Sequence, residues 1–133
     1  PLTRPISSTY GMRKHPITHR LRFHTGVDFW AWPGTRVYAT ASGRVTTAAW
    51  LSNYGYAVKI YHGQGYETLY GHNSKLVVSP GTWVRKGQLI AFSGDTGLTE
   101  GAHLHYEVRR FGNPVNPVRF LNLDIMSASK LWD

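Results

Sequence analysis

From Thr35 onward the chain is written in short runs of β-forming residues, each closed within a few positions by glycine, proline, serine or asparagine. The runs cover residues 36–40, 43–51, 56–62, 67–72, 83–84, 89–93 and 104–109, and they are rich in Val, Ile, Thr, Tyr and Trp, which suit a pleated, half-buried surface. Between them stand Ala41-Ser42-Gly43, Asn53-Tyr54-Gly55, His62-Gly63-Gln64-Gly65, Ser79-Pro80-Gly81, Lys86-Gly87, Ser93-Gly94-Asp95 and Gly112-Asn113-Pro114. That punctuation leaves no stretch long enough for an ordinary helix. It predicts an all-β fold, an antiparallel sheet or sandwich. One short helix is expected over 118–121, where Asn116 supplies a cap and Pro117 takes the first helical position. Residues 1–31 lack the pattern. Ser7-Ser8, Gly11, His15-Pro16 and the polar stretch 18–22 predict a long N-terminal loop, kept ordered by Tyr10, Phe23, Phe29, Trp30 and Trp32.

A length of 133 residues suits one domain, read as residues 1–123 followed by a tail over 124–133. The absence of cysteine removes disulfides and requires any metal site to use histidine and carboxylate. The chain opens at Pro1, without a signal-peptide core or an apolar run able to span a bilayer, and reads as a mature or excised portion. Fifteen Lys and Arg against seven Asp and Glu give a charge of +8, which favours an acidic partner: nucleic acid, anionic lipid or anionic wall polymer. The basic residues are scattered and no nucleic-acid motif accompanies them, so no nucleic-acid partner is expected.

Three histidine-bearing segments carry the chemistry. In Gly101-Ala102-His103-Leu104-His105-Tyr106-Glu107, strand alternation puts His103, His105 and Glu107 on one face and Leu104 and Tyr106 on the other. Same-face neighbours lie about 6.6 Å apart, so both imidazoles reach one small site. In His24-Thr25-Gly26-Val27-Asp28 an imidazole and a carboxylate flank a glycine, and Val27 with the following Phe29-Trp30 favours a tight turn into a strand; in Tyr70-Gly71-His72 a histidine ends a predicted strand beside a glycine that permits close backbone approach. Two imidazoles and one carboxylate form a common catalytic zinc set with a fourth position open to water. Glu107 reads either as an acceptor that orients an imidazole or as a surface glutamate answering Arg109 or Arg110. His62 reads as a solvated turn residue, and His15 and His19 as loop residues near a groove.

Four ordered blocks then resemble the M23 zinc metallopeptidases, the lysostaphin-like or LytM-like peptidoglycan endopeptidases. They are Ile6-Ser7-Ser8-Thr9-Tyr10-Gly11-Met12-Arg13 with His15-Pro16-Ile17, then His24 to Asp28, Tyr70-Gly71-His72, and His103 to Glu107. The resemblance implies an antiparallel sheet of the LytM-like, duplicated hybrid motif type with long N-terminal loops and little helix. It implies one zinc ion per chain held by His24, Asp28 and His105, with His72 and His103 as catalytic histidines. In such a site His103 would take the proton of the attacking water, and His72 would stabilise the oxyanion. Tyr10, Tyr38, Tyr54, Tyr66, Thr99 and the loop 95–101 are candidate groove residues. Ala102, Tyr106 and Asn73 stand where the family more often has Pro, Phe and an apolar residue. The implied activity is hydrolysis of amide bonds in peptidoglycan cross-links, D,D-bonds favoured over glycyl-glycine bridges. The implied setting is a monomer in the bacterial cell envelope, periplasmic or secreted. The alternative is a non-catalytic relative that binds and activates another wall hydrolase, a class that typically lacks ligands or catalytic histidines this chain has.

Overall fold

The computed structural model describes residues 6–8, 11–14, 21–24, 26–99 and 101–117. In chain order the strands are β1 (Ile6–Ser8), β2 (Gly11–Lys14), β3 (Leu21–His24), β4 (Val27–Trp30), β5 (Arg36–Tyr38), β6 (Gly43–Trp50), β7 (Tyr56–Gly63), β8 (Tyr66–Leu76), β9 (Trp83–Val84), β10 (Leu89–Ser93), β11 (His103–Arg110) and β12 (Asn113–Val115). Ten form one antiparallel sheet with the path β1-β4-β11-β8-β7-β6-β9; β12 pairs with β11, and β10 pairs with both β8 and β5. β2 and β3 form a separate hairpin-like pair. A 3-10 turn, Ser52–Tyr54, lies between β6 and β7. The all-β expectation therefore holds, and each predicted run from residue 36 to 109 is a strand to within a few residues.

Residues 1–31 are the exception. Four strands occupy parts of that segment: β4, which the turn at Gly26 suggests, and β1, β2 and β3, which read locally as loop. Val27 and Phe29 point into the core, while β4 lies against β11 on one side and β1 on the other. Long-range pairing of this kind outweighs weak local propensity. The short helix expected over 118–121, the domain boundary at 123 and 124, and Tyr10, His15 and His19 lie outside the described residues.

One face of the sheet carries the core: Val27, Phe29, Val37, Val45, Val58, Ile60, Tyr70, Val84, Ile90, Leu104, Tyr106 and Val108. Each buried aliphatic or aromatic side chain contributes roughly 1.5–3 kcal/mol. Two of them bring hydroxyls into the interior, and Thr40 answers both. Its backbone N–H donates to Tyr70 Oη at 3.0 Å, and its Oγ1 lies 3.0 Å from Tyr70 Oη and 2.9 Å from Tyr106 Oη. Thr68 Oγ1 lies 2.9 Å from Tyr70 Oη and extends the chain of hydroxyls to His62 Nε2 at 2.7 Å. The other His62 nitrogen, Nδ1, lies 2.7 Å from the Ser42 carbonyl oxygen. His62 is thus no solvated turn residue. It closes a hydrogen-bonded chain at the end of β7, and its burial holds its pKa below the ordinary value against the opposing effects of Ser42 and Glu67.

Candidate functional site

Strand register assembles the site. β4 and β11 run antiparallel with His103 opposite Trp30 and His105 opposite Asp28, while β11 and β8 place His105 opposite Gly71. Directly opposed residues share a face, so Asp28, His103 and His105 project together on the side away from the core. His105 Nδ1 lies 2.7 Å from Asp28 Oδ1, and His105 Nε2 lies 2.8 Å from Glu107 Oε2. The imidazole is therefore held at both nitrogens by carboxylates. Burial alone would lower its pKa; the hydrogen bonds and charges of Asp28 and Glu107 outweigh that and raise it to about 9.

The alternation expected for β11 is only half kept. His105 and Glu107 are on the predicted face, yet both are buried, Glu107 completely. Glu107 is no surface glutamate, although it does meet Arg109: Arg109 Nε donates to Glu107 Oε1 at 2.8 Å. Tyr54, on the 3-10 turn, covers the same spot. Its hydroxyl donates to Glu107 Oε2 at 2.6 Å, and its ring lies 5.5 Å from that of His105.

His72 occupies a bend rather than a strand end. Its φ is 63°, a left-handed conformation that costs a non-glycine residue about 1–3 kcal/mol. The β8–β11 ladder reaches Gly71, and the β8–β10 ladder begins at Asn73, so β8 changes neighbours at His72 and continues to Leu76. Asn73 secures the bend. Its Nδ2 donates to Tyr70 O at 2.8 Å and Tyr56 O at 3.0 Å. A fully buried amide here does what an apolar side chain could not. His72 Nδ1 donates to the Thr96 carbonyl at 2.7 Å, which leaves Nε2 as the acceptor of the neutral ring. Its ring centre lies 5.9 Å from that of His105. Burial is the main reason its pKa falls below the ordinary value, with His105 and His103 adding to the effect and Thr96 and Asp28 opposing it. His103 Nδ1 lies 3.2 Å from Gly101 O, which also accepts from Thr99 Oγ1 at 2.9 Å.

His24 closes β3 opposite Gly11, and its side chain lies outside what the structure describes. Among the described residues no three His, Cys, Asp or Glu side chains gather tightly enough to hold a metal ion by themselves. Of the candidate groove tyrosines, Tyr54 acts beneath the site, on Glu107. Tyr66 faces Arg110 five positions along β8 from Gly71, about 17 Å away, and its ring lies under the Arg110 guanidinium. Tyr38, on β5, reaches β8 only through β10. Trp30 does more than order the N-terminal segment: its half-exposed ring lies 4.4 Å from that of His103.

Such a sheet, with an imidazole and carboxylate cluster gathered along three neighbouring strands on the side away from the core, defines a class of β domain with a polar, histidine-lined centre. The family model described as Peptidase family M23 matches residues 22–117, and the chain belongs to that family. It is 50% identical over 113 residues to the DD-carboxypeptidase/endopeptidase Mpg of Neisseria meningitidis, covering 85% of this chain and 26% of that protein. It is 40% identical over 121 residues to the murein hydrolase activator EnvC of Escherichia coli, covering 91% of this chain and 28% of that protein. Among solved structures, a zinc-containing peptidase from Vibrio cholerae superposes with a TM-score of 0.80 at 39% identity, covering 86% of this chain and 36% of that one. The chain spans about a quarter of the length of the curated relatives it matches.

Proposed function

We propose that this domain is a zinc-dependent endopeptidase that hydrolyses amide bonds in the peptide cross-links of peptidoglycan, with D,D-bonds preferred over glycyl-glycine bridges. The observation that carries the reading is His105. Its Nδ1 is directed at Asp28 while a buried carboxylate takes its far nitrogen, the arrangement a metal-ligating imidazole needs to fix its tautomer. Two carboxylates converging on one imidazole make a cation-seeking centre, and this donor chemistry fits zinc. His24, Asp28 and His105 would hold one ion per chain. When bound, the ion supplies Lewis acidity, polarising the scissile carbonyl and bringing the pKa of water down toward about 7.

The remaining work falls to protein groups. His103, with Nδ1 engaged by Gly101 O, turns Nε2 to the attacking water, takes its proton and returns it to the leaving amine. The role of oxyanion donor suits His72 less well than the sequence suggests, because Nδ1–H is committed to Thr96 O. A neutral His72 instead accepts a hydrogen bond at Nε2, from the water or from the leaving amine. Trp30 and loop residues 95–99 flank this centre and would guide an extended peptide. The D,D preference draws support from the likeness to the Neisseria DD-carboxypeptidase/endopeptidase. The substrate in turn implies a cell-envelope location, periplasmic or secreted, and action as a monomer needs no second chain at the site. No helix among the described residues is long and apolar enough to cross a membrane.

The likeness to an activator of murein hydrolases favours a second reading, in which the domain binds a wall hydrolase without cutting. One experiment separates them. Metal content is measured alongside release of fragments from purified peptidoglycan with and without chelator, and defined muropeptide products are identified by mass. A zinc-free protein with no chelator-sensitive release would sink the enzyme reading.

A further inference from the structure

We infer that Tyr54 and Arg109 form a clamp that fixes the carboxylate plane of Glu107 and, through it, sets the zinc affinity of His105. The inference rests on the metal reading above and extends it to two residues that touch neither metal nor substrate in that reading.

The geometry assigns both oxygens of the carboxylate. Oε1 takes the Arg109 Nε–H at 2.8 Å; Oε2 takes the Tyr54 hydroxyl at 2.6 Å and faces His105 Nε2 at 2.8 Å. Arg109 and Tyr54 are themselves joined, Arg109 Nη2 donating to Tyr54 Oη at 3.2 Å with the guanidinium 5.9 Å from the ring centre. A carboxylate with hydrogen bonds to both oxygens cannot rotate without breaking one of them. A completely buried carboxylate also needs a neighbouring cation, and Arg109 supplies it from two positions further along the same strand face. The imidazole is then offered one acceptor in one orientation at Nε2, which keeps Nδ1 turned to Asp28, 2.7 Å away.

Tyr54 brings a second structural element into this arrangement. It ends the 3-10 turn, which closes with Leu51 N donating to Gly55 O at 2.8 Å, and Leu98 N donates to Asn53 O at 2.8 Å from the loop 95–101. Gly97 fits against that turn so closely that a side chain there would strike Asn53 O and Gly55 N. The loop flanking the centre is thereby packed on the turn that carries the clamp hydroxyl. Sequence gives Arg109 away by its two-residue spacing from Glu107, but no local signal links Tyr54 to a carboxylate 53 positions on.

Loss of an outer partner of a metal-binding histidine typically weakens metal binding about 10- to 100-fold. The test is zinc affinity by chelator competition in the full chain for wild type, Tyr54→Phe, Arg109→Met and Glu107→Ala, with Tyr54→Phe repeated in the Glu107→Ala background and circular dichroism reporting the fold. Expected is roughly tenfold weaker zinc binding in each of the first two single variants with unchanged spectra, and no further loss when Tyr54→Phe is added to Glu107→Ala. Wild-type affinity in Tyr54→Phe and Arg109→Met, or a full additional loss in the double variant, would overturn the clamp while leaving the metal site standing. A wild-type chain that takes up no zinc overturns the metal reading, and the clamp with it.

Discussion

Asp28 and His105 stand 77 residues apart in sequence, yet the β4–β11 register sets Oδ1 and Nδ1 2.7 Å from one another. Removing either should abolish metal binding. Asp28→Ala and His105→Ala are expected to copurify without zinc and to lose about 10³-fold or more in peptidoglycan cleavage, since the ion's contribution to such a reaction is several kcal/mol. Metal analysis with a fragment-release assay checks this. Full zinc occupancy in either variant would remove that residue from the ligand set.

His72→Ala and His103→Ala should behave differently. Both are expected to keep zinc while turnover falls about 10²- to 10⁴-fold, the range for loss of a positioned proton-transfer group. Near-normal turnover with zinc retained would reject a catalytic role for the residue concerned.

Gly26 precedes β4 where the backbone presses on β11: a Cβ there would run into the carbonyl oxygen of Tyr106 and come within 2.8 Å of Glu107 Cγ. Gly26→Ala should cost about 1–3 kcal/mol as β4 is pushed off its partner. Thermal unfolding measures the loss; an unchanged Tm would show that the two strands part without penalty.

His62 gives the fold a pH dependence separate from the candidate site. Its folded pKa lies below 6.5 because burial disfavours the charged ring, while Ser42 and Glu67 pull the other way. The unfolded chain then binds the proton more readily, so the full contribution to stability is present above pH 6.5. It is lost as pH falls through 6.5 toward the lower folded value. Unfolding free energies measured from pH 7.5 to 5 should decline less steeply in His62→Gln than in the wild type. Parallel slopes would mean that His62 binds its proton equally in both states.

The formal charge of +8 should hold the domain on an anionic wall polymer through long-range attraction, which salt screens over about 10 Å at 0.1 M. Adsorption to purified sacculi, read by sedimentation, is expected to weaken steadily from 50 mM to 500 mM salt, on the order of the screening argument. Binding that does not change over that range would assign retention to contacts other than charge.

Seven strands from β5 to β11 were legible because two local signals agreed there, β-forming runs and the turn residues between them. β4 was suggested by the turn at Gly26 and the apolar residues after it, but β1 was not, since Ile6 to Ser8 becomes a strand only by lying against β4. The face shared by His103, His105 and Glu107 follows from a period of two and could be read directly. Its burial could not, because the cover comes from Tyr54, half the chain away. The bend at His72 depends on Asn73 reaching the carbonyls of Tyr70 and Tyr56, and nothing in Gly71-His72-Asn73 itself announces it. His62 was misread for the same reason: the glycine beside it suggests a turn, while Ser42 and Thr68 claim both of its nitrogens.

Thr40 stands on the side of the sheet opposite the histidines, and its bonds to Tyr70 and Tyr106 bear on them all the same. A β11 displaced by one residue would turn His103, His105 and Glu107 into the apolar interior and throw Leu104 and Tyr106 out to solvent. The two phenolic hydroxyls find their shared partner only when Tyr106 sits beside Tyr70, the same alignment that brings His105 beside Gly71. A threonine that never approaches the reacting bond therefore works as an indexing pin, holding the ladder at the single setting in which its outer face is chemically armed.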